Sequence, residues 1–282
     1  MDTDTLTTAI DEAVDNGLNW LNDHGGDFFD AIRSLLEGFY DAIEWILLAP
    51  PYLVVMLVAL LLGWRTVSLR FGFAAAVGLG FCAVMGLWKE TMETLALVIA
   101  ATLLALLIAI PVGVLAGFRP RFDSWLQPIL DMLQTLPPYI YLLPAIALLG
   151  FGPATALAAT VVVAVPPALR LTAHGIRFTP QNFLELGQAT GTTPMQMFTK
   201  IRLPFAMPSI MAGVNQCIMM AVGMVVIAGI VGSGGLGSAI YDAIRTLDIG
   251  KSIDGGIAIV ILSMILDRIT AGAVAAESEA DR

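Results

Sequence analysis

The sequence predicts an all-α integral membrane protein, and three observations carry that reading. Apolar residues make up 57% of the 282 positions and charged residues only 13%, against about 25% charged in soluble domains; the mean hydropathy is +0.83. Seven apolar runs of near-spanning length follow one another from residue 46. Lys and Arg gather on alternate loops between these runs, the bias that orients spans during insertion.

The net charge of -9 is unevenly placed, because residues 1–44 hold eleven of the 23 acids and one of the 14 basic residues. The membrane body is therefore close to neutral, and the acidity belongs to an N-terminal arm. Cys82 and Cys217 sit in apolar runs and His24 and His174 are isolated, so neither a disulfide framework nor a metal site is expected. An acidic N-terminus without a basic region ahead of an apolar core predicts no secretory signal peptide. Insertion then relies on the spans themselves.

The arm, 1–44, is too polar to span but has helical periodicity. Leu6, Ile10, Val14, Leu18 and Leu21 form one stripe, and Phe28, Phe29, Ile32, Leu35, Leu36, Phe39, Tyr40 and Ile43 a second, with the acids mostly opposite. His24-Gly25-Gly26 is expected to separate two helices. They lie in the membrane interface or dock on the protein's own spans; without a basic face, attraction to anionic lipid is not the driving force.

The apolar runs cover roughly 46–63, 71–87, 94–118, 129–150, 153–169, 205–232 and 253–270. The second and fifth are near the lower limit of about 17 residues, and Asp267-Arg268 brings the last to the interface. With the N-terminus outside, Arg65, Arg70, Arg119, Arg121, Arg170, Arg177, Lys200, Arg202, Arg268 and Arg282 are cytoplasmic, leaving Arg33, Lys89, Arg245 and Lys251 external. This predicts a multi-pass chain with its N-terminus outside and its C-terminus in the cytoplasm.

The fourth run contains Pro137, Pro138 and Pro144, which remove backbone donors inside a span and free carbonyls that need partners. A broken helix beside a cavity is expected there. Gln134, Thr135, Tyr139 and Tyr141 surround the break, where an aromatic beside exposed carbonyls suits a quaternary ammonium; tyrosines at helix ends also sit simply at headgroup level. In the sixth run Asn215 and Gln216 must face protein or water, bonding helix to helix or lining a path. GSGGLGS, residues 232–238, has no following lysine and lies on the external side, so it is no phosphate-binding loop; it reads as a helix-ending turn. No nucleophile, acid–base pair or ATP site emerges, and an enzyme is not expected.

Between the fifth and sixth runs lies the longest polar interruption, ELGQATGTTPMQMFTKIRLP, residues 185–204. Thr179-Pro180 reads as a helix start, Gly191 as a stop, Thr193-Pro194 as a second start and Pro204 as its end. The result is a helical elbow on the cytoplasmic side. Phe183, Leu184, Met195, Met197, Phe198, Ile201 and Leu203 give it more apolar surface than a loop needs, which points to docking. Lys200 and Arg202 are too few cations for a DNA-binding helix-turn-helix, so no nucleic acid is expected.

The spacing of Glu185, Gly191 and Ile201-x-Leu203-Pro204 resembles the EAA loop of permease subunits from binding-protein-dependent ABC importers, with Leu186-Gly187 where that family has Ala-Ala. The runs QTLPPYIYLLP (134–144), VPPALRLT (165–172), AMPSIMAGVNQ (206–216), GGLG (234–237) and ILDR (265–268) are similar to the glycine betaine/proline permease branch. That resemblance implies a type I importer permease core of five helices within 91–272, carrying a cytoplasmic coupling loop at 178–204. Two accessory transmembrane helices would occupy 45–90, the arm 1–44 the external side, and 273–282 a cytoplasmic tail.

The implied function is alternating access for a small quaternary ammonium osmolyte such as glycine betaine, proline betaine or choline, in the inner membrane of a prokaryote. Implied partners are two copies of a separate ATPase holding ATP and Mg, a second copy of this permease, and an external or periplasmic binding protein; no cofactor belongs to this chain. Glu185, Gly187, Gln188, Ala189, Gly191, Met195, Ile201, Leu203 and Pro204 would meet the ATPase, and Gly234, Gly235, Leu236 and Gly237 would form an external gate or docking surface. An ion-coupled secondary transporter is the alternative. It would need buried ionisable residues and an inverted repeat, and Asp131 is the only carboxylate inside the first six runs.

Overall fold

The computed structural model describes the backbone of residues 3–280. The side chains of Leu6, Ile10 and Val14 and of residues 273–280, with Arg282, lie outside the described residues. The fold is all-helical among the described residues, as the composition predicts. Four helices cross by length and apolarity alone, namely Trp88–Phe118, Pro153–Arg177, the continuous stretch Pro194–Gly229, and Ile249–Gly272. Two bent pairs raise the number to as many as six, against the seven runs read from the sequence: Asp23–Leu48 with Tyr52–Thr66, bent by 94°, and Pro120–Thr135 with Pro138–Leu149, bent by 105°.

The arm is one helix, α1 (Thr3–Leu48), and not two. His24 Nδ1 bonds back to Trp20 O at 3.0 Å, their rings stack, and Phe29 lies over Gly25. Two glycines cost only about 1 kcal/mol each inside a helix, too little to stop one already supported on both sides. Pro50-Pro51 does stop it, because proline has no N–H and pushes its predecessor out of the helical region. Helices α2 (Tyr52–Thr66) and α3 (Leu69–Val84) follow, of 15 and 16 residues. They pack backbone to backbone, since a Cβ on Gly72 would come within 2.3 Å of Leu60 O.

The centre is built from α4 (Trp88–Phe118), α7 (Pro153–Arg177) and α10 (Leu203–Gly229). Ala96, Ala100, Ala101 and Ala105 of α4 and Ala156, Ala159, Ala164 and Ala168 of α7 are all buried. Gly113 and Gly117 sit against Thr172 and Ile176, and Gly175 against Ala206. Small residues let these axes approach closely, which is how helices associate where lipid supplies no hydrophobic drive. Helices α4 and α7 run parallel and α10 returns antiparallel. The bundle therefore has two ends, one holding the elbow and the other the glycine-rich run.

Beside the centre, the fourth run divides into α5 (Pro120–Thr135), a 3-10 turn at Pro138–Tyr141, and α6 (Leu142–Leu149). The expected break is present at Pro137 and Pro138. Pro144 takes no part in it, because it lies in the first turn of α6, where no helical donor is due. A short amphipathic helix absent from the sequence reading, α11 (Gly235–Arg245), precedes α12 (Ile249–Ala280). In the elbow, α8 (Gln181–Ala189) is followed by a single turn, α9 (Pro194–Gln196).

Candidate functional site

The elbow is punctuated by its own sequence. Gly191 has φ +72°, its N–H bonds Gln188 O at 3.1 Å, and Thr192 N bonds Gly187 O at 2.9 Å. Those two bonds make a Schellman motif, which closes α8 and turns the chain sharply. Thr193 then opens α9 with a capping box: its hydroxyl accepts from Gln196 N, and the Gln196 side chain accepts from Thr193 N at 3.0 Å.

Two expected boundaries are corrected. Thr179 is not the cap of α8, whose preceding residue is Pro180; its hydroxyl instead donates to Ile176 O at 3.2 Å. Pro204 does not end the second helix. The chain passes from α9 through a π-turn, Met197–Arg202, straight into α10. Leu203 N bonds Phe198 O, and the widened turn makes room for a proline ring that would clash in a regular helix.

The two arms of the elbow meet at Gly187. A Cβ there would lie 2.6 Å from Met197 Cε and 2.8 Å from Ile201 Cδ1, so any side chain at this position would have to push the ends of these two side chains aside. Phe183 packs on Phe205 with ring centroids 4.6 Å apart. Outward, Leu186 is 60% and Met195 69% exposed, beside exposed Glu185, Gln188, Ala189 and Gly191. Ile201 and Leu203 are half-buried and Pro204 is exposed. The Glu185 carboxylate accepts from Gln181 Nε2 at 3.2 Å.

The base of the elbow holds residues that the sequence reading missed. Among the described residues, Asp123 is the only carboxylate that is buried. It accepts Arg177 Nη2 at 2.9 Å and Gln127 Nε2 at 2.9 Å, while Arg177 also donates to Ala116 O at 3.1 Å. Arg202 donates to Ile176 O at 3.1 Å, with its guanidinium 4.9 Å from the Phe118 ring centroid. The available signal was Pro180, which deprives Ile176 O of its helical donor.

At the span break the same logic appears. Pro137 leaves Leu133 O without a helical donor, and the Tyr141 hydroxyl bonds that carbonyl at 2.7 Å. Gln134 and Thr135, before the break, and Tyr139, after it, are exposed, Tyr139 to 59%. Asn215 lies elsewhere, on α10 facing α12: it donates to Asp267 Oδ1 at 3.4 Å and accepts from Thr270 Oγ1 at 2.9 Å. Gln216 is exposed. Asn215 is thus spent on bonding α10 to α12. Asp131, which an ion-coupled transporter would need free, is paired with Arg170 at 2.5 Å.

The glycine-rich run is a tight joint that follows the end of α10 and opens α11. Gly235, Leu236 and Gly237 are buried, with Gly234 partly so. Gly235 N donates to Glu93 Oε2 at 2.5 Å and Leu236 N to Thr94 Oγ1 at 2.8 Å. The N-terminus of α11 thereby receives a carboxylate, as its dipole favours. A Cβ on Gly237 would fall 2.0 Å from Val225 O, so α10 and α11 touch through bare backbone.

Comparison with known proteins agrees along most of the chain. Residues 109–273 match the family of the binding-protein-dependent transport system inner membrane component. The glycine betaine/proline betaine transport system permease protein of Escherichia coli (strain K12) is 38% identical over 261 residues, covering 93% of this chain and 74% of that one. The glycine betaine transport system permease protein of Bacillus subtilis (strain 168) is also 38% identical over 261 residues, covering 92% of each. Among solved structures, the inward-facing MetNI methionine ABC transporter aligns with TM-score 0.59 at 26% identity, over 65% of this chain and 92% of that one.

Proposed function

Because the chain belongs to the binding-protein-dependent transport system inner membrane component family, we propose that it is the permease subunit of an ATP-driven importer for a small quaternary ammonium osmolyte of the glycine betaine, proline betaine or choline kind. It is a non-catalytic membrane component. Two copies enclose one pathway, two ATPases bind ATP and Mg below, and a binding protein delivers substrate from outside. The N-terminus lies outside, and the elbow meets the ATPase in the cytoplasm.

The observation that carries this reading is the elbow: a loop at one end of the bundle with a fixed shape and an apolar outer surface at Leu186 and Met195. A side chain exposed to that degree on a rigid turn suits a partner groove. The path is assigned to the span break, where Tyr139, Gln134 and Thr135 face outward and offer an aromatic face to a cation. The glycine joint at 234–237 sits at the opposite end and serves as the external gate.

The test is uptake of glycine betaine by vesicles holding this chain with its ATPase and binding protein, given ATP inside and no ion gradient. ATP-dependent accumulation is expected. Accumulation that follows an imposed ion gradient and ignores ATP would overturn the proposal.

A further inference from the structure

Both covalent connections between the elbow and the membrane helices are irregular. At the entry, α7 ends before Pro180, where the helical hydrogen bond to Ile176 O is missing; at the exit, the π-turn Met197–Arg202 interrupts the regular ladder into α10. Each such joint bends more readily than a continuous helix. A displacement of the elbow would be lost in these two joints unless something spans them.

We propose that Arg202 is a positioning residue for coupling, a strut that ties the exit joint to the entry joint and to the end of α4, so that the elbow, the α4–α5 corner and the start of α10 move together. The proposal rests on the reading of the elbow as the ATPase contact. Arg202 closes the π-turn, and its Nη1 donates to the Ile176 carbonyl, which Pro180 leaves without a helical donor and which the Thr179 hydroxyl serves from its own side. Its guanidinium carbon lies over the ring of Phe118, the last residue of α4, and Phe118 in turn packs on Phe198 within the π-turn, 5.8 Å between centroids. One side chain thus holds three elements.

A planar guanidinium can donate in its plane and stack on its face at once; a lysine ammonium cannot. The neighbouring Asp123–Arg177 pair completes the block by joining the start of α5 to the ends of α7 and α4. Arg202 Nε is buried without a hydrogen-bond partner, so the contact is incompletely satisfied.

The test uses the full chain assembled with its ATPase and binding protein in lipid vesicles, with glycine betaine as substrate. Arg202→Gln should leave ATPase co-purification and substrate-stimulated hydrolysis within about twofold, while substrate carried per ATP falls roughly three- to tenfold, the loss of about one net hydrogen bond with its stacked ring. Arg202→Lys and Phe118→Leu, which each keep part of the contact, should fall between. Unchanged substrate per ATP in Arg202→Gln overturns the strut, as does loss of ATPase co-purification, which would make Arg202 part of the docking surface or of the fold. Should Arg202→Gln not assemble, normal substrate per ATP in Phe118→Leu overturns it instead. The underlying reading is tested apart: Leu186→Asp with Met195→Asp alters only the outer surface, and if that pair still binds and couples the ATPase, the elbow is not the contact whatever Arg202 does.

Discussion

At Pro137 in the broken span and at Pro180 at the entry to the elbow, a proline leaves the carbonyl one turn earlier without its helical donor. Leu133 O is recovered by Tyr141, eight residues further along the same segment. Ile176 O is recovered by the nearby Thr179 and by Arg202, 26 residues away across the elbow. The first break is thus closed from within and holds its shape by itself. The second is closed partly by Thr179 beside it and partly by the far arm, so part of its closure depends on where that arm lies. A self-closed break suits a fixed wall beside a path, and a break closed partly from across the elbow suits a part that relays movement.

The strongest way to break this contrast is to part the two arms of the elbow. Gly187→Leu would force a side chain into the space of Met197 and Ile201, whose atoms already stand 2.6 to 2.8 Å from a Cβ at that position. Overpacking of this kind costs about 1–3 kcal/mol. Uptake in reconstituted vesicles is expected to fall roughly five- to a hundredfold by that free energy, with the spans still inserted because insertion follows apolar length and loop charge. Normal uptake by this variant would mean the arms act independently.

Next in size is Gly191→Val. The left-handed backbone at φ +72° strains any β-carbon by about 1–2 kcal/mol, although a Cβ there meets nothing within 4 Å. Uptake should fall roughly five- to thirtyfold. Since the difficulty is conformation and not space, Gly191→Asn should couple nearly as well as glycine, asparagine being the other residue that accepts this region. Equal loss in both variants, measured as substrate-stimulated ATPase activity, would show that bulk against a docked surface is the cause.

The legible parts of this protein are those fixed by neighbours in sequence. Gly191 and Thr193-Pro194 were readable because a left-handed turn and a capping box are local, and the break at Pro137-Pro138 was readable because missing donors are local. The boundary at Thr179 was misplaced because its hydroxyl serves the helix behind it instead of the one ahead. Pro204 was misread as a stop because a π-turn absorbs it, which depends on the fold around Phe118 and Ile176. The single long arm was divided because glycine's cost is small beside the support of Trp20 and Phe29. Helix α11 was missed because its apolar face is covered by elements far away in the chain, α4, α10 and α12 among them. What was hidden, Asp123 with Arg177 and Arg202 with Phe118, joins residues far apart in the chain.

At the span break the expected effects are smaller and separate two neighbouring tyrosines. Tyr139 is the exposed one, and Tyr139→Ala removes an aromatic face from the proposed path. A cation–π contact at an exposed site contributes about 0.5–1 kcal/mol, so transport should weaken roughly two- to fivefold, with basal ATPase activity of the assembled complex kept. Unchanged uptake would return Tyr139 to a headgroup anchor.

The least effect on transport, and the sharpest test of the contrast, is expected from Tyr141→Phe. This change keeps the ring, which is half-buried against the core, and removes only the hydroxyl that reaches Leu133 O at 2.7 Å. If that bond closes the break from within, its loss leaves a carbonyl without a donor in a poorly hydrated place. The cost is about 0.5–1.5 kcal/mol of stability. Thermal unfolding of the purified permease should therefore shift downward while uptake per assembled complex stays near its starting value, because the hydroxyl is spent on the backbone and not on substrate. Tyr141→Leu would add the loss of ring packing and lower stability further. Loss of uptake in Tyr141→Phe without any change in unfolding would place the hydroxyl in the path, and the two proline breaks would then no longer differ in kind.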